Sequence, residues 1–161
     1  MHHHGYLWTG PKERFDDEAL RRPPHPAPPP APVSDQDVQA ERLLKRYREV
    51  VAEFPTVGLP PIETAYWLIK PRSLVRGTWR EAKEAASWLG EQLAEYAPRF
   101  AAVPDRDTAH LARLVNAAAE QLHSGTDVSY GFYLERPSYL SLAVVTCCPN
   151  RSQPELVCPM R

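Results

Sequence analysis

A run of prolines sets the first limit on this chain. Residues 21–32 read Arg-Arg-Pro-Pro-His-Pro-Ala-Pro-Pro-Pro-Ala-Pro, and about a third of the 18 prolines lie there. Proline has no backbone N–H and a fixed φ, so neither a helix nor an interior strand can run through such a tract. The expected form is an extended polyproline II spacer. Gly10-Pro11 breaks the chain before it. Residues 1–33 are therefore expected to be a disordered tail. A domain over 34–148 should follow, with an irregular C-terminal tail over 149–161 that carries Pro149, Pro154 and Pro159. Tyr6, Leu7, Trp8, Phe15 and Leu20 stand ahead of or beside the spacer, and they suggest a short segment that docks either on this domain or on a partner.

The 161 residues carry 43% apolar side chains and a net charge of −1. That is enough for one core and argues against a globally basic nucleic-acid binder. The bias towards Ala, Arg and Pro matches a bacterial-like, GC-rich composition. There is no apolar leader and no apolar run near the roughly 20 residues a spanning helix needs, so a cytoplasmic protein without membrane contact is expected.

Periodicity predicts the elements of the domain. Ala40, Leu44, Tyr47, Val51 and Phe54 lie at helical spacing behind a Ser34–Asp37 capping signal. Pro61 to Ile69 reads as a short helix. Thr78 and Glu81 form a capping box ahead of Ala82, Ala85, Ala86, Leu89, Leu93 and Tyr96. Ala86 and Gly90 leave a small surface that lets another helix come close. A further helix opens near Asp105, carries Leu111, Leu114, Val115, Ala118 and Leu122, and closes at Gly125. The period then changes to two. Val128, Tyr130, Phe132 and Leu134, then Tyr139 to Thr146, read as a β-hairpin. The predicted fold is mostly α (α+β): three main helices, one short helix and a C-terminal β-hairpin behind the proline-rich tail.

Candidate sites are sparse. Lys70, Arg72, Arg76 and Arg80 form a basic stretch without an acid, with Thr78 and Trp79 inside it. Arginines there suit phosphate, and the tryptophan suits a nucleic-acid base. A helix-turn-helix over Thr78 to Gly90 is discounted, because the same helical stripe continues into acidic sequence. The three cysteines, Cys147, Cys148 and Cys158, are an odd set with no disulfide framework. Zinc sites favour cysteine pairs spaced by two to four residues, adjacent cysteines do not easily both reach one tetrahedral ion, and Cys158 stands alone, so no metal and no cofactor is expected. Cys147 or Cys148 reads instead as a small buried apolar residue, with a Cys148–Cys158 disulfide as the alternative. Met1-His2-His3 can in principle hold Cu(II) or Ni(II) in a square plane, against the simpler reading of histidines on a loose end. No catalytic residue is assigned.

Three functions follow. The leading one is a non-enzymatic interaction or regulatory module with a protein partner. The second is a nucleic-acid or phosphate-ligand binder using residues 70–80. The third is a small thiol-dependent enzyme or redox sensor, pairing a cysteine with His110 or His123.

Overall fold

The computed structural model describes residues 1–160. Arg161, the last residue of the expected C-terminal tail, lies outside the described residues. In chain order the elements are β1 (His2–Pro11), α1 (Lys12–Phe15), α2 (Glu18–Arg21), α3 (Val38–Glu53), β2 (Val75–Trp79), α4 (Ala82–Tyr96), α5 (Thr108–His123), β3 (Val128–Tyr133) and β4 (Ser138–Cys147). Short 3-10 turns at Thr64–Ile69, Arg72–Leu74, Ala97–Arg99 and Val103–Arg106 connect them. The strands form one four-stranded antiparallel sheet in the order β2-β1-β4-β3.

This overturns the expectation of a mostly helical domain behind a disordered tail. The first residues are a central strand. β1 pairs with β4 over its full length, from His2 opposite Cys147 to Pro11 opposite Ser138. It pairs with β2 on its other side. The hairpin of β3 and β4 is therefore half of a larger sheet. Both Pro11 and the two glycines of β1 weaken its intrinsic strand preference. Pairing on both edges supplies the order that local sequence does not.

The glycines have a packing reason. Gly5 lies opposite Gly77. A Cβ on Gly5 would sit 2.7 Å from the Trp88 ring and 3.0 Å from the Trp79 ring, and one on Gly77 would sit 2.4 Å from Trp79. Trp79 and Trp88, with ring centroids 5.3 Å apart, thus lie directly over bare backbone. Flat indole surface replaces the missing side chains.

The sheet buries both faces. On one, α4 and α5 lay Ala85, Ala86, Leu89, Leu93, Leu111, Ala118 and Leu122 against Val128, Phe132, Leu140, Leu142 and Val144. Gly90 allows the close helix contact expected there, since a Cβ would meet Val115 at 3.1 Å. Phe100 stacks on Phe132 at 4.3 Å. On the other face, Tyr6, Ala143, Val145 and Cys147 pack under Trp67, Leu68 and Cys158. Burial on two faces explains why β4 reads as a nearly continuous apolar run.

Several helix starts differ from the expected ones. Asp37, not Ser34, caps α3, accepting a hydrogen bond from the Ala40 N–H at 3.2 Å. Asp107, not Asp105, caps α5, accepting from the His110 N–H at 2.7 Å. Thr78 caps nothing: it belongs to β2, and α4 begins after Glu81. Gly125, with φ of 81°, closes α5 with a Schellman pair, Thr126 N–H to Gln121 O and Gly125 N–H to Leu122 O.

Lys70 is buried, at 3% exposure. Its ammonium donates to the Phe54 carbonyl at the end of α3 and lies 3.7 Å from the Phe54 ring centroid. The helix C-terminus and the ring face both favour a cation. Burial still holds its pKa down at about 8 from the usual 10.5. Between those two values the unfolded chain binds more protons than the folded one, so the contribution of Lys70 to stability rises with pH across that window.

Two predictions follow from this packing. Gly5→Ala is expected to destabilise the fold by about 1–3 kcal/mol in urea titration, because its methyl group overlaps Trp88; an unchanged midpoint would contradict it. Between pH 7 and pH 10, wild type should gain on the order of 1 kcal/mol relative to Lys70→Met. A stability difference that stays flat with pH would show that Lys70 is charged and solvated.

Candidate metal centre

The end of the sheet where β1 begins and β4 stops gathers imidazoles and thiols. Alternation along β1 puts His2, His4 and Tyr6 on one face and His3 on the other. His2 lies directly opposite Cys147, and His4 opposite Val145. Residues facing each other across an antiparallel ladder have side chains in contact range. Two histidines and one cysteine therefore converge by register alone.

Cys148 would point away if β4 continued as a regular strand. Instead it adopts a left-handed backbone with φ of 69°, the sole positive φ at a non-glycine residue among the described residues. That conformation is costly for a residue with a Cβ and persists only where the surroundings impose it. It turns Cys148 back, so that its Sγ lies 3.5 Å from the Cys147 Sγ. The C-terminal segment then returns over the sheet and buries Cys158, whose Sγ lies 3.9 Å from His2 Nδ1 and 3.5 Å from His4 Nε2. His4 Nε2 is also 3.2 Å from the Cys147 Sγ.

Asn150 holds this return in place. It is 1% exposed and fully used. Its amide donates to both oxygens of Asp127 and to the Thr146 carbonyl, while its carbonyl accepts from the Ser152 and Gln153 N–H groups. Asp127 also accepts from the Thr146 N–H at 2.8 Å. Burial raises the Asp127 pKa, and these hydrogen bonds oppose the rise.

One donor atom each from His2, Cys147, Cys148 and Cys158 lies within 4.8 Å of every other. Zinc with bonds of about 2.3 Å to sulfur and 2.0–2.1 Å to nitrogen needs ligand atoms roughly 3.5–3.8 Å apart at the edges of its tetrahedron. The cluster is close to that size and needs only a small contraction. His4 stands as a fifth donor. Its Nδ1 lies 2.9 Å from the Thr78 hydroxyl. With the ring proton on Nδ1 and donated to Thr78, Nε2 presents its lone pair to the sulfurs, the orienting arrangement common for metal-bound histidine. Burial lowers the His4 pKa to about 4, so the ring is neutral at pH 7.

The thiols carry a matching signature. Burial, reinforced by Cys148 and Cys158, raises the Cys147 pKa far above that of a free thiol. This is the opposite of what a nucleophilic cysteine needs at neutral pH. A cation reverses the situation, since metal coordination deprotonates a thiol outright. Tyr6 lies beside these thiols. Its Oη is buried without a hydrogen-bond partner among the described residues. Tyr6 packs in the same cluster as Cys147 and Cys158, and burial above all, with a further contribution from the two sulfurs, raises its pKa.

The structure thus assembles the metal donors that adjacency in sequence argued against, because Cys148 is not in extended conformation. All three cysteines are free, and the Cys148–Cys158 disulfide is not formed. His3 faces the other side of the sheet and lies 2.9 Å from the Thr146 hydroxyl, so Met1-His2-His3 is neither a loose end nor a square-planar site. The signal in the sequence was two histidines spaced by two at one end of the chain and three cysteines near the other.

The residues expected to bind a partner or an anion are dispersed. Tyr6 is 1% exposed and stacks on Trp67 at 4.7 Å. Leu7 packs on the helical side, and Trp8 leans on Phe15 at 5.9 Å. None of the three lies on a free tail. Lys70 is buried, and Trp79 covers the glycine pair. Arg72, Arg76 and Thr78 stay together along one groove, which Arg80 does not line. No helix among the described residues is long and apolar enough to cross a membrane.

Asn150→Ala should lower stability in urea by about 1–3 kcal/mol, because Asp127 and the Thr146 carbonyl lose their buried partner; an unchanged midpoint would remove Asn150 from the account. Comparison with protein-family models, curated proteins and solved structures finds no significant match for this chain, so its function is argued from the chemistry of its own residues.

Proposed function

We propose that this protein is a non-catalytic binding module whose sheet is stapled by one zinc ion, held by Cys147, Cys148, Cys158 and a histidine from β1. The observation that carries it is the convergence of four soft donors within 4.8 Å of one another at the junction of the two chain ends. Three thiolates and one imidazole form a recurrent structural zinc set, and sulfur selects zinc over magnesium or calcium. Four protein donors leave no open position for substrate, which favours a structural ion over a Lewis-acid catalyst. His2 completes the compact set of four, and His4 is the alternative fourth ligand. Reduced thiols suit a reducing compartment.

Such an ion would act through linkage. It binds the assembled site and not the unfolded chain, so at about a thousand times its Kd it adds roughly 4 kcal/mol of stability. It would tie the start of β1 to the C-terminal segment.

Protein purified without chelator should carry about one equivalent of zinc by native mass spectrometry, and Co(II) in its place should give the strong visible bands of a tetrahedral thiolate site. Cys147→Ser and Cys158→Ser should each abolish stoichiometric binding. His2→Ala and His4→Ala identify the fourth ligand by which of them weakens binding. Absence of bound metal, together with a thermal midpoint indifferent to zinc and to chelator, would refute the proposal.

A further inference from the structure

We propose that the free edge of β2 takes up an extended acidic segment of a protein partner, which continues the sheet while its carboxylates pair with Arg72 and Arg76. This inference rests on the reading of the chain as a binding module, not on the ion.

β2 is a terminal strand of the sheet. Its inner side pairs with β1. Its outer side has no backbone partner among the described residues. An unpaired edge offers a row of N–H and C=O groups, the template for strand addition. A groove of about 560 Å³ runs along it, lined by Arg72, Ser73, Val75, Arg76, Gly77, Thr78 and Met160.

Charge selects the occupant. Arg72 and Arg76 are exposed, and neither forms an ion pair among the described residues. Arg76 is the extra residue where the β1–β2 register shifts, between Gly77 opposite Gly5 and Val75 opposite Tyr6. A bulge and positive charge are devices that keep edge strands from pairing with themselves. Two copies of β2 meeting edge to edge would bring these arginines together, so a second copy of this chain is disfavoured. An acidic strand meets the same arginines with attraction, and arginine can engage each carboxylate through two parallel hydrogen bonds. Nucleic acid fits less well, because the net charge is −1 and the groove holds only two arginines.

The groove adjoins the thiol cluster. Thr78 lines it and contacts His4, and Met160 stands two residues beyond Cys158.

The test is fluorescence anisotropy with the full-length protein, its zinc content measured on the same sample. The probe is a labelled peptide of four alternating Glu-Val pairs. Controls are the Lys-Val peptide, the Glu-Val peptide N-methylated at every second residue, and single-stranded dT of similar length. Saturable binding of the acidic peptide is expected. It should fall about tenfold or more in the Arg72→Ala/Arg76→Ala double variant, and be lost on N-methylation and on raising salt. Arg113→Ala, on the exposed side of α5, should bind as wild type does. Equal binding of the N-methylated peptide, binding of dT alone, or a dimer that buries β2 and excludes the peptide would each overturn the proposal. Peptide binding by a metal-free sample whose thermal midpoint is indifferent to added zinc would leave this inference standing and remove the zinc. Bound zinc without peptide binding would do the reverse.

Discussion

The pairing of β1 with β4 is the constraint on which the rest of the structure depends. It runs from His2 opposite Cys147 to Pro11 opposite Ser138 and joins the two ends of the chain in the middle of the sheet. Every other feature is arranged around it. The helices α4 and α5 cover one face, where Leu140, Leu142 and Val144 point. Trp67, Leu68 and the C-terminal segment cover the other. β2 has a place in the sheet only because β1 is there to pair with it, and the thiol–imidazole cluster exists only because the register sets His2 against Cys147.

The sheet also explains how a chain so rich in proline supports a packed core. The proline tract lies outside every helix and strand, between α2 and α3. α3 itself has no buried residue. Its half-exposed stripe of Ala40, Leu44, Tyr47 and Val50 leaves Leu43 and Val51 in solvent. The Tyr47 hydroxyl reaches back to the His25 carbonyl at 2.9 Å, and Lys70 closes the helix at Phe54. This part of the chain is anchored at few points, whereas the sheet and its two helices are packed throughout.

What could be read from the sequence follows from the range of the forces involved. The stripes of α4 and α5 and the alternation of β3 are local patterns with a period, and each matches the element that forms there. β1 has no such pattern. His-His-His-Gly carries none of the branched or aromatic residues that mark strands, and Pro11 and the proline tract downstream point to disorder. Its order comes from strands about 70 and 140 residues away, which no local window contains. Thr78 shows the same limit. It matches a capping box, but pairing with His4 takes it into β2. The cysteines are read from their adjacency and from the isolation of Cys158, and two long-range features lie outside that reading: the left-handed backbone that reverses where the Cys148 sulfur points, and the return of the C-terminal segment that brings Cys158 to His4.

The register of β1 also bears on how the protein is made. A ribosome releases β1 well over a hundred residues before β4, so the central strand has no partner on its principal side over that stretch of synthesis. At about 5–20 residues per second, that interval lasts roughly 7–30 s. During it the edge of β1 that faces β4, with Tyr6 and Trp8 along it, stays unpaired. The residues that stand in the middle of the finished sheet are thus the ones that wait longest for their partner during synthesis.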